Sequence, residues 1–444
     1  MNQVMKNNRT HAIVMGASLG GLMTARVLSQ HFEKVTIIEK DVVHRHPESR
    51  KGQPQTRHLH GLLPAGFSII SSYFPDIQDA LQQNGANLMD FAETMVWKTY
   101  GGYRKSFNMN LKAVIMSRPL LEHLVRERVL ALPNVQLMDN TAVKKLIASP
   151  DKQRIVGILI APKDGDETTS LHADFIVDVT GRASRSPQWL VDMGYETPPI
   201  SEVKVNVGYA TRVFKRDPNH PLSKSWMLYT PQAPIETRFG GLFPVEGNRW
   251  VLSVGGWHGD NAPLDETSFM AYVKSLPMPE LYDTVSQCEP ISDIMPYKFL
   301  SSLRRHYEKM KRFPLGYLVL GDAVSSFNPT YGQGMTSASL QAAELDKILQ
   351  KNVPESQLAH TFFKRAAQVI DIPWSLAVGE DFRFAETTGP KPAGIDFINK
   401  YVARVHQATL KDEVVCKAFL KVMSLLAPPT SLFHPRILWR VMRA

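Results

Sequence analysis

The feature that most constrains the fold is a run of four predicted elements close to the N-terminus. Apolar residues 11–15 predict a buried strand, the stretch GASLGG at 16–21 a tight turn, and the amphipathic residues 22–31 a helix. A second apolar strand follows at 35–39 and ends in Glu39. This order is the context that a dinucleotide-binding fingerprint requires. It consists of a strand, a glycine turn, a helix and a second strand, with a carboxylate about 20 residues past the turn.

The turn itself departs from the G-x-G-x-x-G pattern at one position. Gly16 and Gly21 occupy the first and third glycine positions, and Ser18 occupies the second. Gly16 allows the tight turn, Gly21 lets the helix pack closely on the strand, and residue 18 faces the pyrophosphate that the helix N-terminus binds. The alternative is an ordinary strand–helix turn with a surface glutamate. The predicted phosphate and ribose site consists of Gly16, Ala17, Ser18, Gly20, Gly21, Glu39 and Lys40.

A later stretch predicts a second loop at the end of a buried strand. Residues 315–320 predict a strand that ends at Gly321 and Asp322, and a Pro-x-x-Gly-x-Gly loop leads from Pro329 into a helix. An aspartate at a strand end can bind a ribityl hydroxyl, and a helix dipole can stabilise the anionic reduced ring of a flavin. The predicted site residues of this stretch are Gly321, Asp322, Pro329, Gly332, Gln333, Gly334 and Met335.

Composition limits the class of protein and of partner. The 444 residues exceed the usual size of a single core, so we expect two packed lobes. The net charge of +9 suits phosphate-bearing ligands or an anionic surface, but no basic run interleaved with aromatic residues points to nucleic acid. Cys288 and Cys416 show no metal-ligand spacing, so we expect a reduced, cytoplasmic protein without a metal site. We expect neither a signal peptide nor a membrane-spanning stretch.

The residues after Pro435 form a basic amphipathic pattern. Such a segment predicts peripheral contact with a membrane surface, or else a final helix docked on the protein with its arginines outward. The apolar positions are Ile437, Leu438, Trp439, Val441 and Met442, and the basic positions are Arg436, Arg440 and Arg443.

Together these stretches resemble the flavoprotein monooxygenases of the para-hydroxybenzoate hydroxylase type. Within that group the chain is most similar to the squalene-epoxidase-like and polyether-epoxidase-like branch, in which serine at the middle fingerprint position is a familiar variant. Beyond the fingerprint, the resemblance is carried by KGQPQTRHLHGLLPAG (51–66), MSRPLLEHLVRERV (116–129), VDVTGRASRSPQWL (177–190), GGLFPVEGNRWVLSVGGWHGD (240–260), VLGDAVSSFNPTYGQGM (319–335) and DIPWSLAVGEDFR (371–383). It runs nearly end to end.

The resemblance implies an α/β, two-lobe flavoprotein fold. A Rossmann-type FAD-binding domain would carry an inserted, mainly antiparallel β-sheet substrate domain, followed by C-terminal helices. Residues 203–258 are rich in β-branched and aromatic residues, as the strands of such a sheet should be. The expected division is 1–200 for the first part of the FAD-binding domain, 201–300 for the substrate-binding sheet, 301–350 for the return of the FAD-binding domain and 351–444 for the C-terminal helical region.

The resemblance also implies an FAD-dependent oxidoreductase that reacts with O2. In such enzymes reduced flavin and O2 form a C4a-(hydro)peroxide, whose distal oxygen attacks an alkene or an activated aromatic ring. We expect epoxidation or hydroxylation of a small hydrophobic substrate in secondary metabolism. The alternatives are an FAD-dependent reductase of isoprenoid double bonds and a non-catalytic FAD-bound electron-transfer module. A halogenase is disfavoured, because the chain lacks the expected Trp-x-Trp-x-Ile-Pro stretch.

Positions in the matched stretches assign further site residues. The implied FAD contacts beyond the fingerprint and the loop are Arg118, Val143, Asp178 and Gly181; the catalytic candidates are Arg57, His58 and His60; the substrate candidates are Trp226, Tyr229, Phe239 and Phe243. The two histidines are equally consistent with surface or loop roles. Trp226 and Tyr229 are three residues apart, so in a regular strand they face opposite sides. Phe239 and Phe243 are four apart and can share a face.

The electron donor is the point at which the chain departs from the family pattern. The aromatic hydroxylases use an Asp-Gly pair in the middle motif for both FAD and NAD(P)H, whereas here Asp178 is followed by Val179 and Thr180. No second G-x-G-x-x-G indicates a separate nicotinamide domain. Electrons are therefore expected either from NAD(P)H directly or through a separate flavin reductase.

Overall fold

A computed structural model describes residues 9–50 and 52–444. The strands are β1 (His11–Met15), β2 (Lys34–Ile38), β3 (Asn87–Asp90), β4 (Met95–Thr99), β5 (Gly102–Tyr103), β6 (Lys112–Ile115), β7 (Val135–Met138), β8 (Thr141–Ala148), β9 (Ile155–Pro162), β10 (Thr169–His172), β11 (Phe175–Asp178), β12 (Ile200–Lys215), β13 (Trp226–Tyr229), β14 (Arg238–Val245), β15 (Arg249–Gly256), β16 (Met295–Arg305), β17 (Tyr317–Val319) and β18 (Ser325–Ser326). Residue 51, the first of the matched stretch 51–66, lies outside the described residues, as do residues 1–8.

The α-helices are α1 (Leu19–Leu28), α2 (Pro64–Tyr73), α3 (Ile77–Gln83), α4 (Arg118–Leu130), α5 (Ser186–Asp192), α6 (Glu266–Lys274), α7 (Pro279–Val285), α8 (Gly334–Gln350), α9 (Glu355–Asp381), α10 (Ile395–Ala408), α11 (Glu413–Met423) and α12 (Pro435–Arg443). Pro119 stands in the first turn of α4, where a missing N–H costs no hydrogen bond, and Ser117 caps the same turn by accepting from the Leu120 N–H.

A five-stranded parallel sheet in the order β17-β11-β1-β2-β7 forms the first layer. Strands β1 and β11 are buried along nearly their whole length. Parallel sheets have both faces covered, which explains why these strands are continuous apolar runs without alternation. Helix α1 packs on β1 and β2 and contacts α4 and α8. The predicted Rossmann-type layer is confirmed.

The second large sheet has the order β18-β16-β12-β15-β14-β13-β4-β5. All its neighbouring strands are antiparallel except β13 and β4, which run parallel. Residues 203–258, expected as sheet strands, supply its central strands β12 to β15. Its edges also recruit β4, β5 and β18 from outside the range 201–300. The fold class is confirmed, and the domain boundaries stay a prediction.

The two faces of this second sheet are covered by different helices. One face packs on α6 and α7, through Phe269, Tyr272 and Leu281 among others. The other packs on the C-terminal helices α10, α11 and α12, through Phe419 and Val441 among others. Both faces of the sheet are therefore covered, and its middle strands are buried and carry mainly apolar side chains.

Two small sheets complete the description. Strands β8, β9 and β10 form a three-stranded antiparallel sheet, and β3 pairs with β6. Within residues 9–50 and 52–444, no helix has the length and apolar character needed to cross a membrane. In the same residues no group of three or more His, Cys, Asp or Glu side chains is placed to hold a metal ion.

Candidate functional site

The glycine turn before α1 is held so tightly that two of its positions exclude a side chain. Gly16 has φ +107°, and a Cβ there would lie 2.7 Å from the Val179 carbonyl oxygen. A Cβ on Gly21 would lie 1.9 Å from the Gly16 carbonyl oxygen. These are the close backbone approaches that the first and third fingerprint glycines permit. The sequence therefore forms the tight turn that it predicts.

Ser18 precedes the first turn of α1 in an extended conformation, with φ −87° and ψ −179°, and its hydroxyl makes no capping hydrogen bond. At Gly20, a Cβ would lie 3.3 Å from the Ala338 Cβ of α8. The N-terminal halves of α1 and α8 thus lie against each other. The positive dipole ends of two helices therefore lie near one another.

A row of charged side chains borders the α1 N-terminus. The Glu39 carboxylate accepts a hydrogen bond from the Ala17 N–H at 2.9 Å and lies 3.1 Å from Arg50 Nη1. The Glu122 carboxylate accepts from Arg118 Nε at 2.9 Å and from the Leu19 N–H at 3.3 Å. Acidic groups at a helix N-terminus are stabilised by its dipole. The sequence reading placed Glu39 and Arg118 here.

Arg50 and Glu122 extend this row, and the sequence reading missed both. Arg50 Nη2 donates to the Ala17 carbonyl at 3.0 Å and lies 3.9 Å from Glu122 Oε2. Arg50 comes from an irregular loop, so no periodicity marks it. Glu122 follows Arg118 by four residues on α4, and that i,i+4 spacing was the available signal.

Lys40 and Val143 lie farther from the helix N-termini. The Lys40 side chain is exposed, and Val143 is half-buried in β8, where it pairs with Ile160 and packs against the main core. Their predicted FAD contacts therefore stay predictions. Strand β8 begins next to Glu39, because the Thr141 N–H donates to the Glu39 carbonyl at 2.9 Å.

The Asp178 carboxylate is hydrogen-bonded within its own turn, and the predicted FAD contact of this residue stays a prediction. It accepts from the Thr180 N–H at 2.8 Å, from the Thr180 hydroxyl at 2.6 Å and from the Ser184 hydroxyl at 2.5 Å. The Ser186 hydroxyl is a fourth donor. A carboxylate has about four lone-pair sites, so this buried side chain has no free acceptor for a cofactor. Asp178 orders the turn, in which Gly181 has φ +82° and open space around it.

Arg182, in the same turn, ties the two large sheets together. Its guanidinium donates to the Ser301 carbonyl at 2.6 Å and to the Ser326 hydroxyl at 2.7 Å. Ser301 lies on β16 and Ser326 on β18, both strands of the second sheet. The middle motif thus positions the second sheet relative to the parallel sheet.

Asp322 lies at the end of β17, beside the start of α8. Its Oδ1 is 3.8 Å from the place of a Cβ on Gly334, and Gly321 before it has φ +71°. The side chain is accessible to solvent although protein surrounds it, as in a cleft. Desolvation raises the pKa of the carboxyl, and the charges of Arg118 and Arg182 oppose that rise. Asp322 is therefore free to bind a ligand.

The loop from Pro329 to Gln333 leads into α8 as predicted. Pro329–Tyr331 forms a single 3-10 turn, and Gly332 follows with φ +66°. The Gln333 side chain is 1% exposed, yet both of its amide atoms lack a hydrogen-bond partner within the described part of the chain, as does the Thr336 hydroxyl. Buried polar groups are nearly always hydrogen-bonded, so these atoms point to a ligand that completes the site. Met335 is buried in the main core.

His60 and His58 are both neutral imidazoles in a desolvated setting. His60 Nδ1 donates to the His58 carbonyl at 2.9 Å, which leaves Nε2 to accept from Arg118 Nη1 at 3.3 Å. Burial and the charge of Arg118 lower the pKa of His60 to about 3. His58 Nδ1 lies 2.8 Å from the Thr211 hydroxyl, and burial and the Arg57 charge lower its pKa to about 4. Neither ring carries a charge near neutral pH.

A cleft of about 390 Å³ opens beside these histidines. Its lining includes Arg57, His58, His60, Leu59, Met116, Val213, Phe243, Val251 and Met295. Arg57 is exposed in this cleft. The cleft wall is mostly apolar, and His60 is the member that reaches Arg118 and hence the neighbourhood of Asp322.

The aromatic substrate candidates divide between two faces of the second sheet. Trp226 and Phe243 lie on one face with ring centroids 5.8 Å apart, and Phe239 contacts Trp257 at 5.2 Å. Tyr229 lies on the other face, in the cluster beneath α6 and α7. Trp226 and Tyr229 lie on opposite sides of the sheet, as their spacing predicts, and the substrate roles of the four aromatic residues stay predictions. Of the four, Phe243 lines the cleft.

A buried carboxyl on α9 was missed by the sequence reading. Asp381 Oδ1 accepts from Asn328 Nδ2 at 2.8 Å, from the Tyr331 hydroxyl at 2.9 Å and from Trp257 Nε1 at 3.2 Å. Its Oδ2 is buried without a partner among the described residues. Burial raises the pKa of Asp381 to about 7. The stretch 371–383 belongs to the resemblance, but helical periodicity gives no sign that one of its carboxyls meets the 328–331 loop.

Comparisons with known proteins show the family to which the chain belongs. The family described as FAD binding domain matches residues 9–361. Protein Rv3254 of Mycobacterium tuberculosis (strain ATCC 25618 / H37Rv) is 32% identical over 445 residues, which cover 95% of this chain and 90% of that protein. Squalene monooxygenase of Mus musculus is 21% identical over 355 residues, which cover 77% of this chain and 55% of that protein. The resemblance to squalene-epoxidase-like enzymes is thereby confirmed.

A solved structure supports the fold alone. The flavin-dependent brominase Bmp2 superposes with a TM-score of 0.67 at 12% sequence identity, covering 98% of both chains. Shared fold does not carry shared chemistry, since one fold supports many activities.

The residues present fit FAD. The glycine turn makes the close backbone approaches of a dinucleotide fingerprint, Asp322 is accessible beside the α8 N-terminus, and Gln333 has amide atoms there without a partner among the described residues. A pyrophosphate suits the first place, and a polyhydroxyl chain and the polar edge of a flavin suit the second. The two places are near each other, because the N-terminal halves of α1 and α8 are in contact.

Proposed function

This chain belongs to the FAD binding domain family, and on that premise we propose a flavin-dependent monooxygenase that oxygenates an uncharged, apolar small molecule. The reaction is epoxidation of an alkene or hydroxylation of an aromatic ring. FAD, when bound and reduced, activates O2 so that one oxygen atom can be transferred. The chain's own residues bind the cofactor, exclude water and position the substrate.

The observation that carries the proposal is the mostly apolar cleft beside His58 and His60. Its volume of about 390 Å³ falls in the range of small-molecule sites, which are concave and mainly apolar with a few placed polar groups. Both imidazoles facing it are neutral, because burial lowers the pKa of each well below neutrality. The charged residues of the lining are Glu48, Arg57 and Arg249, and their side chains are exposed or half-exposed.

The position of the cleft links substrate to cofactor. His60 accepts a hydrogen bond from Arg118, whose charge also acts on the Asp322 carboxyl. The Gly61 carbonyl oxygen is 3.7 Å from the place of a Cβ on Gly332, in the loop that begins α8. The segment that carries both histidines therefore packs against the loop that would hold the flavin. A substrate in the cleft would lie next to that loop.

The substrate class is tested by turnover with a panel of candidates. Holoenzyme is mixed with reductant, O2 and one of three groups of compounds. The groups are polyenes and terpenoid alkenes, neutral aromatics, and small anionic aromatics. Substrate-dependent flavin oxidation and product formation are measured for each. We expect the neutral apolar compounds to be oxygenated. Turnover of anionic aromatics alone would contradict the proposal, and alkene saturation without stoichiometric O2 uptake would favour a reductase.

The electron donor is proposed to be a separate flavin reductase. Where the family has an Asp-Gly pair, Asp178 of this chain is followed by Val179 and Thr180. The Val179 backbone and the Thr180 side chain are hydrogen-bonded inside the chain. The Val179 N–H donates to the Met15 carbonyl at 2.9 Å, and the Thr180 hydroxyl donates to Asp178 at 2.6 Å. Anaerobic reduction by NADH, by NADPH and by a flavin reductase with its donor is compared. Rapid reduction by NADH or NADPH alone would overturn this proposal.

A further inference from the structure

The strongest surface feature outside the site is an apolar patch on the C-terminal helices. We define the C-terminal patch as Phe397, Phe433, Trp439 and Met442, whose exposed fractions are 77%, 39%, 54% and 64%. Singly exposed apolar side chains are ordinary, but large ones that adjoin one another mark an interaction surface.

Contacts show that the patch is continuous. Phe397 stands one helical turn before Tyr401 on α10, and the Tyr401 ring lies 4.8 Å from the Phe433 ring. Farther along α10, the Arg404 guanidinium contacts the Met442 sulfur at 3.3 Å. Met442 and Trp439 are three residues apart and share a face of α12. The patch thus runs along α10 and across to α12.

Internal packing explains only one side of α12. Ile437 and Val441 are 7% and 4% exposed and belong to the core shared with the second sheet. The expectation of a docked final helix is therefore met on that side. Trp439 and Met442 point away from that core, and a docked helix with only its arginines outward does not account for them.

The charges around the patch are mostly basic, and the exposed Asp396 beside Phe397 pairs with Lys391 at 2.8 Å. Arg404, Arg436 and Arg443 are exposed, and the Arg443 guanidinium lies 3.9 Å from the centroid of the Trp439 ring. Of the α12 arginines, Arg440 forms an ion pair within the described part of the chain, with Asp412 at 2.7 Å. An apolar stripe with Trp and Met, flanked by arginines, is the pattern of helices that lie in the interface of an anionic bilayer.

We propose that the C-terminal patch docks the protein on the surface of an anionic phospholipid bilayer. Charge complementarity selects this occupant, since anionic lipids attract the exposed arginines while Phe397, Trp439 and Met442 enter the headgroup boundary. The helices lie on the surface and do not cross it, in keeping with the absence of a spanning helix in residues 9–50 and 52–444. This proposal does not depend on the proposed function.

The test is flotation of full-length holoenzyme with vesicles. Vesicles of phosphatidylglycerol and phosphatidylcholine are compared with vesicles of phosphatidylcholine alone, at low and high salt. We expect the protein to float with the anionic vesicles and binding to weaken as salt rises, because screening reduces the attraction. Each arginine near an anionic surface contributes about fivefold in affinity. The variant Arg436→Gln/Arg443→Gln should therefore bind roughly 25-fold more weakly.

The apolar part is tested by Phe397→Ser/Trp439→Ser/Met442→Ser. Because these side chains are exposed, the fold should persist, which FAD content and thermal unfolding verify. We expect a loss of vesicle binding of more than about tenfold. The matched control is Ile235→Ser, since Ile235 is 78% exposed but lies outside the patch, and it should bind as the wild type does.

Three results would overturn the proposal. The first is wild-type protein that remains unbound with both kinds of vesicle. The second is a triple variant that floats as well as the wild type. The third is a dimer that forms without vesicles and is abolished by the triple substitution, because the patch would then be the interface between two copies of the chain. Light scattering of the same samples distinguishes the third result from the others.

Discussion

The turn before α1 requires glycine at position 21, because there is no room for a methyl group in place of its Cα hydrogen. An alanine methyl group would lie 1.9 Å from the Gly16 carbonyl oxygen and 2.8 Å from its carbonyl carbon, and backbone atoms cannot yield as a flexible side chain can. We predict that Gly21→Ala lowers the free energy of unfolding by at least about 2 kcal/mol and abolishes FAD retention. Denaturant unfolding and the flavin-to-protein absorbance ratio measure the two effects.

The matched control is Gly20→Ala, one residue earlier in the same helix. Its Cβ would meet the Val179 Cγ1 at 3.1 Å and the Ala338 Cβ at 3.3 Å, contacts that displacements of a few tenths of an ångström relieve. It should be the milder variant in both measurements. Equal effects of the two substitutions would contradict the account of the turn.

Asp381 is the residue whose titration the structure makes most informative. Its pKa is raised to about 7 by burial, whereas an aspartate in the unfolded chain titrates near 3.9. Between those values the folded state binds a proton that the unfolded state does not. Stability contributed by Asp381 is therefore present at low pH and is lost as pH rises toward 7, at roughly 1.4 kcal/mol per pH unit.

The prediction for Asp381 is tested with Asp381→Asn. The variant keeps an acceptor oxygen for Asn328, Tyr331 and Trp257 but cannot titrate. Urea unfolding from about pH 4.5 to 8 should show that the stability difference between variant and wild type shifts in the variant's favour as pH rises. Glu380, beside it in sequence, raises the pKa of Asp381 further and is unchanged in both proteins. Parallel stability curves would contradict this account.

Single residues also show what sequence could and could not reveal. Gly16, Gly21 and Asp322 were predictable because each stands at a fixed offset from a strand end. Arg50 and Asp381 were not, because their partners lie 33 and 53 positions away, at Ala17 and Asn328, and only the tertiary fold brings them together.

At the scale of elements, the first turn of α8 carries the clearest mark of a missing ligand. Both amide atoms of the buried Gln333 are unpaired within the described residues. An unpaired buried polar group costs about 1–3 kcal/mol. We predict that Gln333→Met stabilises the FAD-free protein by about 1 kcal/mol or more and weakens FAD binding about tenfold. Thermal unfolding of the FAD-free protein and FAD titration by flavin fluorescence check the two effects.

Gln341, on the same helix, provides the control. Its amide oxygen accepts from the Gly321 N–H at 2.9 Å, and its amide nitrogen donates to the Ser337 hydroxyl at 3.1 Å. Gln341→Met removes satisfied bonds and should destabilise the FAD-free protein. If Gln333→Met destabilises it equally, then Gln333 is not an unfilled ligand group.

The elements differ in how well local pattern predicts them. The parallel strands were predictable as short apolar runs, and β12 to β15 as β-branched and aromatic stretches. The recruitment of β4 beside β13 was not predictable, because a parallel pairing between residues about 130 positions apart is fixed by the fold and not by local sequence. The sequence predicts that Trp226 and Tyr229 of β13 point to opposite faces of the second sheet. It does not predict which face borders the cleft, because that depends on where α6, α7 and the C-terminal helices pack.

At the scale of the whole molecule, the place where FAD fits and the cleft lie next to each other, as flavin-dependent oxygenation of a small molecule requires. Two helix N-termini lie near one another where FAD fits, and the segment with the neutral histidines joins that place to a mostly apolar cleft. The second sheet is fixed against the parallel sheet by Arg182, so the cleft and the cofactor place are held in one arrangement. The chain belongs to a family of flavin-dependent oxidoreductases, and the apolar side chains of the cleft support the proposal of an apolar substrate.

The most direct measurement follows the oxygen atom. FAD-loaded protein, reduced anaerobically in the presence of a neutral alkene or aromatic substrate, is mixed with ¹⁸O2, and the product is analysed by mass spectrometry. The account predicts one ¹⁸O atom in each product molecule and none from labelled water in the reciprocal experiment. Reoxidation of the flavin with peroxide release and no labelled product, across the whole panel of apolar substrates, would contradict it.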